Sequence, residues 1–234
     1  MPDTAITEYL VERKSLVESA LADRLPSETT EPRVVHAAMR YAVLGGGKRL
    51  RPVLALAVAE IGGVEPEKML DAACAIEFVH TASLILDDLP AMDDADTRRD
   101  QPATHRAFGE ATAILASLAL LSEAYALVAK NAAAYLDAKG VASVVEMLSI
   151  TIGTSGLIHG QHIDLTLERK EHTMDRLTEI YRQKAGILFY AAVSVPAQIA
   201  RLEHAQVSAL EQYASGVGVA FQITDDIIDA HHLH

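Results

Sequence analysis

Apolar residues recur at the three- and four-residue spacing of a helix along nearly the whole chain, and helix-favouring Ala, Leu and Glu are frequent. Stretches that alternate between apolar and polar residues, as half-buried strands do, are absent. The pattern therefore predicts an all-α fold. The predicted helices lie near residues 4–22, 33–44, 50–61, 67–88, 107–130, 140–158, 174–200 and 204–230.

Prolines and glycines mark the predicted helix ends. Pro32 fits the first turn of its helix, the three glycines at 45–47 end that helix, and Pro66 lies near the start of a later one. No linker rich in proline or serine divides the chain. The helices that start near 67, 107, 174 and 204 are long and apolar, so neighbours must bury them on several sides. We expect residues 1–234 to form a single-domain bundle of long helices around a deep apolar cavity.

The composition narrows the possible functions. The chain has 234 residues, of which 50% are apolar, and a net charge of −12, which disfavours binding to nucleic acid or to anionic membranes. Cys74 is the single cysteine, which fits a reducing, cytoplasmic location. The first residues do not read as a signal peptide, and no uninterrupted apolar run reaches about 18 residues, so we expect no transmembrane segment.

Two clusters of aspartates follow apolar helical runs. The first contains Asp87, Asp88, Asp93 and Asp94, and the second contains Asp225, Asp226 and Asp229. Crowded carboxylates repel one another unless cations neutralise them, and hard oxygen ligands favour Mg²⁺. Because Mg²⁺ shares its coordination shell with substrate phosphates, the two clusters predict two walls of a cavity that clamps a diphosphate through metal.

The spacing of the aspartates within each cluster favours metal binding over a solvated helix end. Asp225 and Asp229 are four residues apart and share one helix face. Asp87 and Asp93 are six apart and do not stack on a regular helix, so we expect Pro90 to kink the helix end and bring both to one metal. A single aspartate pair is usually a solvated helix end, but two such clusters are not readily explained in that way.

Basic residues form the counterpart of these clusters. The segment 46–52 places Lys48, Arg49 and Arg51 beside a glycine-rich turn, which can offer backbone N–H groups and positive charge to a phosphate. Arg98 and Arg99 follow the first cluster and can grip phosphate oxygens, although charge balance with nearby aspartates is an equal alternative.

Further polar residues interrupt apolar helices. Lys184 needs an anionic partner, which a diphosphate would supply. Gln222 lies one turn from the second aspartate cluster, and His80 precedes the first, where a packed core histidine is the common alternative. The segment Gly160–Asp164 either closes the cavity or is structural.

Together and in this order, these segments resemble the trans-isoprenyl diphosphate synthases, or polyprenyl synthetases, which include farnesyl and geranylgeranyl diphosphate synthases. The resemblance runs from about Val35 to the end of the chain, and the four-residue spacer in the first cluster is similar to the bacterial short-chain and plastid branch. The segments that carry it are Gly46–Pro52, His80 with Ser83 and Leu84, Asp87–Asp93, Arg98-Arg99, Pro102–His105, Gly160-Gln161, Lys184 with Gly186, Phe221-Gln222 and Asp225–Asp229.

The resemblance implies an isoprenoid synthase fold, Mg²⁺ as cofactor and a role for each matching residue. The residues implied to bind magnesium are Asp87, Asp88, Asp93, Asp225 and Asp229. Those implied to hold the allylic diphosphate are Arg98, Lys184 with the adjacent Ala185, and Gln222, whereas Lys48, Arg51, His80 and Arg99 would hold isopentenyl diphosphate. Asp87, Asp93, Arg98, Lys184 and Asp225 form the implied catalytic set, and Ala82 and Ser83 the implied floor that limits chain length.

The chain departs from the family pattern at four places. Leu86 stands where many members have His, Asp100 replaces the Gly after the arginine pair, and Ala185 replaces Thr. The family also continues beyond the second cluster, whereas this sequence ends at His234, so we expect a domain without its C-terminal part.

The resemblance implies a homodimeric prenyltransferase that joins dimethylallyl, geranyl or farnesyl diphosphate to isopentenyl diphosphate. The small Ala82 and Ser83 favour geranylgeranyl diphosphate as product, with farnesyl diphosphate as the alternative. A class I terpene cyclase is a rival enzyme, which the basic segment 46–52 and Arg99 disfavour because a cyclase needs no second diphosphate pocket. A non-catalytic partner subunit is a rival of another class, which both aspartate clusters oppose.

Overall fold

The computed structural model describes residues 4–166, 173 and 180–232, with the side chains of these apart from residues 184, 185, 225, 226 and 229–232. Helices dominate this part of the chain, which confirms the all-α prediction. The helices are α1 Thr4–Arg24, α2 Arg33–Leu44, α3 Leu50–Ile61, α4 Leu70–Asp87, α5 Thr104–Phe108, α6 Glu110–Ala133, α7 Ala138–Ile152, α8 Leu157–Thr166, α9 Ile187–Ile199 and α10 His204–His232.

Three short elements complete the fold. A 3₁₀ turn, Pro66–Met69, leads into α4, and a π-helical turn, Arg182–Gly186, leads into α9. Two strands of two residues, β1 Thr97–Arg98 and β2 Gln101–Pro102, pair antiparallel. The apolar pattern did not predict this hairpin because two-residue strands are too short to show an alternation.

Helix α4 lies at the centre of the bundle. It packs against α1, α2, α3, α6 and α9, and most of its side chains are buried, including Phe78, Val79 and Ile85. Such burial on several sides explains why its sequence is apolar on all faces rather than on one stripe. The carboxyl end of α4 therefore carries the first aspartate cluster out of the core and into the functional cavity.

Two predicted helices differ from the observed ones. The predicted helix 140–158 divides at Gly153, where the backbone becomes extended, so α7 and α8 are separate. The predicted helix 107–130 begins at Glu110, because Gly109 adopts φ +83°, a left-handed conformation that ends α5. Residues 174–179 of the predicted helix 174–200 lie outside the described part of the chain.

Three helical stretches are long and apolar enough to cross a membrane by length and composition alone: Pro66–Asp87, Glu110–Ala133 and Ala138–Thr166. The prediction from uninterrupted apolar runs missed them because isolated polar residues break the runs without making the helices polar on average. The first stretch is mostly buried within the bundle, whereas only 39% of the apolar window in the second is buried. Helix α6 therefore exposes apolar surface to its surroundings.

Candidate active site

A polar cavity of about 610 Å³ opens between α3, α4, the hairpin and α10. It brings the basic segment, the arginine pair and two aspartates of the first cluster to one space, although they are distant in sequence. Its lining comprises Gly47, Lys48, Arg49, Leu50, Arg51, Glu77, His80, Ser83, Leu84, Asp87, Asp93, Arg98, Arg99, Leu157, Leu188, Phe221 and Gln222.

The basic segment 46–52 crosses the wall of this cavity before α3. Gly46 and Gly47 adopt φ +101° and φ +135°, which L side chains rarely tolerate. A Cβ atom on Gly47 would also lie 3.2 Å from the guanidinium carbon of Arg99. Glycine is therefore needed at position 47 both for the turn and for the close approach of Arg99.

Aromatic rings hold the two cations that the segment directs into the cavity. The guanidinium of Arg51 lies 4.4 Å from the ring centroid of Phe189, and Lys48 Nζ lies 5.2 Å from that of Phe221. Cation–π contacts at these distances are attractive and restrict the side chains. Phe221 belongs to α10, so these contacts connect the basic segment to the helix that carries the second aspartate cluster.

His80 lines the same cavity and is surrounded by cations. Its Nε2 lies 3.4 Å from Arg51 Nη1. Burial, together with the charges of Arg51 and Arg99, holds the pKa of His80 well below its usual value of 6.5. The imidazole is therefore neutral at physiological pH and can accept a hydrogen bond.

The first aspartate cluster is formed by a turn rather than by a kinked helix. Helix α4 ends at Asp87, and the Asp93 amide donates to the carbonyl of Asp87 at 2.9 Å. This hydrogen bond closes the loop around Pro90 and brings Asp93 back beside Asp87, so both carboxylates line the cavity. The expected kink at Pro90 is wrong, because the helix has already ended before that residue.

Asp88 faces away from this cavity and pairs with Arg98. It is 2% exposed, and its Oδ1 accepts hydrogen bonds from Arg98 Nη2 at 2.5 Å and from Nε at 3.0 Å. Burial alone would lower the pKa of Arg98, but the hydrogen bond and charge of Asp88 raise it. Asp88 therefore orients Arg98, and its predicted contact with metal stays a prediction.

The hairpin presents Arg98 and Arg99 to the cavity. Arg99 and Asp100 form its turn with φ +53° and φ +61°, as in a type I′ turn, where Gly, Asn and Asp are preferred. The replacement of the family's glycine by Asp100 is therefore compatible with this backbone. Burial and the charges of Arg49 and Arg98 lower the pKa of Arg99, while Glu77 opposes this effect.

The remaining predicted residues lie on two helical segments that touch. Gln222 lines the cavity from α10, and Lys184 and Ala185 belong to the π-helical turn, a feature that often marks functional sites. A Cβ atom on Gly218 would lie 2.5 Å from the Cα atom of Gly186, so the two backbones are in direct contact there. The side chains of Lys184, Ala185, Asp225 and Asp229, and hence their predicted roles, lie outside the described residues.

A second cavity of about 300 Å³ adjoins the first and is apolar. Both share Ser83, Asp87 and Leu157, so the polar and apolar spaces meet at the end of α4. Ser83 lines the apolar cavity, and its role in limiting chain length stays a prediction. Ala82 does not line this cavity: it is fully buried, and its carbonyl accepts a hydrogen bond from Ser117 of α6 at 3.0 Å. The other lining residues are Val79, Leu86, Met92, Leu121, Ile152, Ile158, Gln161, His162 and Leu165.

The carboxylate pair suits a divalent cation. Asp87 and Asp93 are held side by side by the backbone turn, opposite a cluster of cations. Within the side chains that the structure describes, no group of three or more His, Cys, Asp or Glu converges to form a complete metal site. Mg²⁺ uses one or two carboxylates and completes its shell with water and phosphate oxygens, so the pair fits this ion.

Comparison with known proteins identifies the family. A family model described as Polyprenyl synthetase matches residues 32–233. The chain belongs to the polyprenyl synthetase family. It is 42% identical over 225 residues to a geranylgeranyl diphosphate synthase of Cyanophora paradoxa, covering 94% of this chain and 73% of that protein. It is 38% identical over 229 residues to a farnesyl diphosphate synthase of Geobacillus stearothermophilus, covering 98% and 77% respectively.

A solved structure supports the same assignment. The apo crystal structure of a FPP/GFPP synthase from Zymomonas mobilis superposes with a TM-score of 0.88 at 34% identity, covering 96% of this chain and 82% of that chain. The isoprenoid synthase fold that the resemblance implied is thereby confirmed. This polyprenyl synthetase chain spans between 58% and 77% of the length of its curated relatives.

Sequence analysis missed one polar residue of this polyprenyl synthetase site. Glu77 lies within the apolar helix α4, is 2% exposed, and lines the cavity beside the arginines. An acidic residue in so apolar a helix needs a buried partner, and this signal was present in the sequence. Arg49, which was noted only as one of three adjacent cations, supplies that partner at 2.6 Å.

Proposed function

We propose that this polyprenyl synthetase is a short-chain trans-prenyltransferase that joins an allylic diphosphate to isopentenyl diphosphate. The observation that carries the proposal is a single polar cavity with a carboxylate pair and a cation cluster that opens into an apolar cavity. Such a space suits a substrate with a diphosphate head and a hydrocarbon tail, together with a second diphosphate.

The allylic diphosphate would lie on the side of Asp87 and Asp93. These residues, with Asp225 and Asp229 of the second cluster, would hold magnesium, which when bound supplies positive charge to stabilise the departing diphosphate. Arg98, oriented by Asp88, adds a fixed cation on the same side. Because these charges are in place before the allylic bond breaks, they stabilise the negative charge that develops on the leaving group.

Isopentenyl diphosphate would lie on the side of the basic segment. Lys48, Arg51 and Arg99 surround that part of the cavity, and neutral His80 lies beside Arg51. This arrangement places the double bond of isopentenyl diphosphate near the allylic cation that ionisation leaves. Attack by that double bond forms the new carbon–carbon bond and leaves the positive charge on the isopentenyl unit. Transfer of one proton from that unit to the departing diphosphate then forms the double bond of the product.

The apolar cavity would receive the allylic tail. Its lining residues are mostly aliphatic, so water is disfavoured there and the reactive cation is protected from hydrolysis. Ser83 is a small residue at the entrance, which supports growth to the C20 product, geranylgeranyl diphosphate. Farnesyl diphosphate is the second candidate, because a farnesyl diphosphate synthase is among the relatives.

We also propose that the protein forms a homodimer through α6. Ile114, Leu115 and Leu118 of this helix are 40%, 54% and 56% exposed and follow one face. Contiguous apolar surface on a helix that is otherwise part of the core is typical of an interface. The cation cluster around Arg99 disfavours the terpene cyclase alternative, and the paired Asp87 and Asp93 disfavour the non-catalytic partner subunit.

The product assay tests this proposal. The purified chain is incubated with dimethylallyl diphosphate, isopentenyl diphosphate and Mg²⁺, and dephosphorylated products are separated by chromatography. We expect geranylgeraniol, and we expect a chelator to abolish it. Products that end at C15 contradict the chain length, cyclic hydrocarbons support a cyclase, and no turnover supports a partner subunit.

Two variants sharpen the assay. Asp87→Asn removes one cavity carboxylate and should lower turnover at least about 100-fold, the scale of losing a preorganised electrostatic contact. Asp94→Asn is the matched control, because this neighbouring aspartate pairs with Arg106 outside the cavity. Similar loss in both variants would argue against a specific role for Asp87.

A further inference from the structure

Arg49 is the cation of the basic segment that pairs with two carboxylates in the cavity wall. Its side chain has no exposed area, and it occupies the residue before α3 with φ +54°. Its guanidinium donates to Glu77 Oε1 at 2.6 Å, to the Val43 carbonyl at 2.6 Å and to Glu18. Burial alone would lower the pKa of Arg49, but the hydrogen bonds and charges of these two carboxylates raise it.

Glu77 is the buried anion inside a group of arginines. Besides its bond to Arg49, its Oε1 lies 3.9 Å from Arg99 Nη2. A buried charge with a partner removed is strongly destabilised, so Glu77 keeps Arg49 and Arg99 together on one side of the cavity. Gly47 lies between these two arginines, since a Cβ atom there would be 3.2 Å from Arg99 and 3.3 Å from Arg49 Nη1.

Glu18 extends this group to the N-terminal helix. It accepts hydrogen bonds from Arg49 Nε at 2.8 Å and from Nη2 at 3.3 Å, in a two-point arrangement that fixes the plane of the guanidinium. Glu18 belongs to α1, which lies before the residues that match the family model. Arg49, which is buried, thus links the N-terminal helix to the segment that carries Lys48 and Arg51.

We propose that Glu18 and Glu77, acting through Arg49, are positioning residues for isopentenyl diphosphate, and that α1 is thereby part of the substrate site. Arg49 holds the backbone of the segment, while Glu77 holds the guanidinium of Arg99 against Gly47. Lys48, Arg51 and Arg99 then face the diphosphate in a fixed geometry. This inference rests on the proposed function, because it concerns the second substrate of the same site.

Two opposite effects follow when either carboxylate is neutralised. The cavity becomes more positive, which attracts a diphosphate more strongly, but Arg49 loses a bond that fixes the segment. Recognition of a diphosphate by several directed N–H groups depends on their geometry, and small displacements in such sites are costly. The loss of positioning therefore outweighs the gain in charge.

Steady-state kinetics test the proposal with Glu18→Gln and Glu77→Gln. We expect the KM for isopentenyl diphosphate to rise about 10-fold in each, with the KM for the allylic substrate changed less than about twofold. Glu12→Gln is the matched control, because Glu12 lies on the same helix and its ion pair in the described part of the chain is with Arg13 at the surface. Equal increases in both KM values, or none in the KM for isopentenyl diphosphate, overturn the proposal.

A second measurement does not depend on turnover. Hydrogen exchange of the amides at 46–50 should be faster by about fivefold in Glu18→Gln and Glu77→Gln than in the unmodified chain or in Glu12→Gln. If the unmodified chain forms no prenyl product, the proposed function fails, and this exchange measurement alone decides whether Glu18 and Glu77 position the segment. Unchanged exchange then overturns the inference, whereas faster exchange confined to 46–50 supports it.

Discussion

Ser83 and Ala82 are adjacent in sequence, yet they face different parts of the protein. Val79, Ser83 and Leu86 share the face of α4 that lines the apolar cavity, because residues three and four apart lie above one another on a helix. Ala82 is about 100° further round the helix, where it is fully buried outside the cavity lining, and its carbonyl accepts a hydrogen bond from Ser117 of α6. Ser83 and its helical neighbours are therefore the residues of α4 that can limit the length of a prenyl tail.

Substitution of these two residues separates the roles. Ser83→Phe should shorten the main product by one five-carbon unit, because the added ring occupies space that the tail needs. Ala82→Phe should instead overpack the α4–α6 contact and lower the free energy of unfolding by about 1–3 kcal/mol. Product chromatography and urea unfolding measure the two effects. A shortened product in Ala82→Phe alone would restore the expectation drawn from the family resemblance.

His80 gives the stability of the fold a dependence on pH. Its folded-state pKa lies well below 6.5, so below about pH 6.5 the unfolded chain binds a proton that the folded protein does not. Stability is therefore unaffected by His80 above that pH and falls as the pH decreases towards the folded-state pKa. Arg49, Arg51, Arg98 and Arg99 maintain this effect by opposing a further positive charge.

A neutral substitution should remove this contribution. When the pH falls from 7.5 to 5.5, the free energy of unfolding should decrease by about 1 kcal/mol less in His80→Gln than in the unmodified chain. This size follows from a pKa near 6.5 for histidine in the unfolded state. Urea unfolding at the two pH values measures the difference. His159→Gln, at an exposed position of α8, serves as the control and should follow the unmodified chain. Parallel curves for all three proteins would contradict the assignment.

The contact between the π-helical turn and α10 depends on two glycines. Gly186 and Gly218 allow the backbones to touch, and this contact sets how closely the segment carrying Lys184 approaches the helix carrying the second aspartate cluster. A Cβ atom at Gly218 would push directly against Gly186 and separate the two walls of the site, whereas one at Gly186 would meet the Tyr181 carbonyl oxygen at 3.3 Å. Helix propensity alone would favour alanine over glycine at both positions, so packing has outweighed propensity here.

Two glycines of α10 provide a matched test. Gly218→Ala should lower the free energy of unfolding by about 1–3 kcal/mol, because its Cβ atom would lie 2.5 Å from the Gly186 Cα atom. Gly216→Ala should raise it by up to about 1 kcal/mol, since no described atom outside its own stretch of helix lies within 4 Å of the new Cβ atom and alanine favours the helix. Urea unfolding measures both, and changes of the same sign would show that backbone contact does not decide the outcome.

Helix α6 carries exposed apolar residues on one face. Helix α4 is buried within the chain, whereas α6 buries one face against α4 and leaves Ile114, Leu115 and Leu118 exposed. Exposed apolar area of this kind costs solvation free energy unless a second surface covers it. In the proposed homodimer, a second copy of the chain covers this apolar face.

A charge placed on this face should separate the subunits. Leu118→Glu should give a monomer, because two copies of the new carboxylate would be buried and brought close together in a symmetric interface. Light scattering after size exclusion at micromolar concentration measures the mass. Val11→Glu, at a position of α1 that is 65% exposed, is the control and should not alter the mass. A monomeric unmodified chain would contradict the proposed dimer directly.

The order of the helices, the aspartate pair, the basic segment and the arginine pair were all readable from the sequence. Each depends on local information: helical periodicity, turn residues such as Gly45, or charges adjacent along the chain. The family resemblance depends on the same short segments. For this reason the helix positions were predicted well, except where Gly109 and Gly153 interrupt an apolar pattern that continues past them.

The tertiary structure alone decided which partner each of these residues has. Asp88 pairs with Arg98 rather than lining the cavity with Asp87, although both end the same helix. Arg49 joins Glu18 and Glu77, which are 31 and 28 residues away, while its neighbours Lys48 and Arg51 lie against aromatic rings of the same cavity. The physical reason is that the sequence does not distinguish adjacent charges from one another, and only the packing of distant helices determines which of them meets a counter-charge.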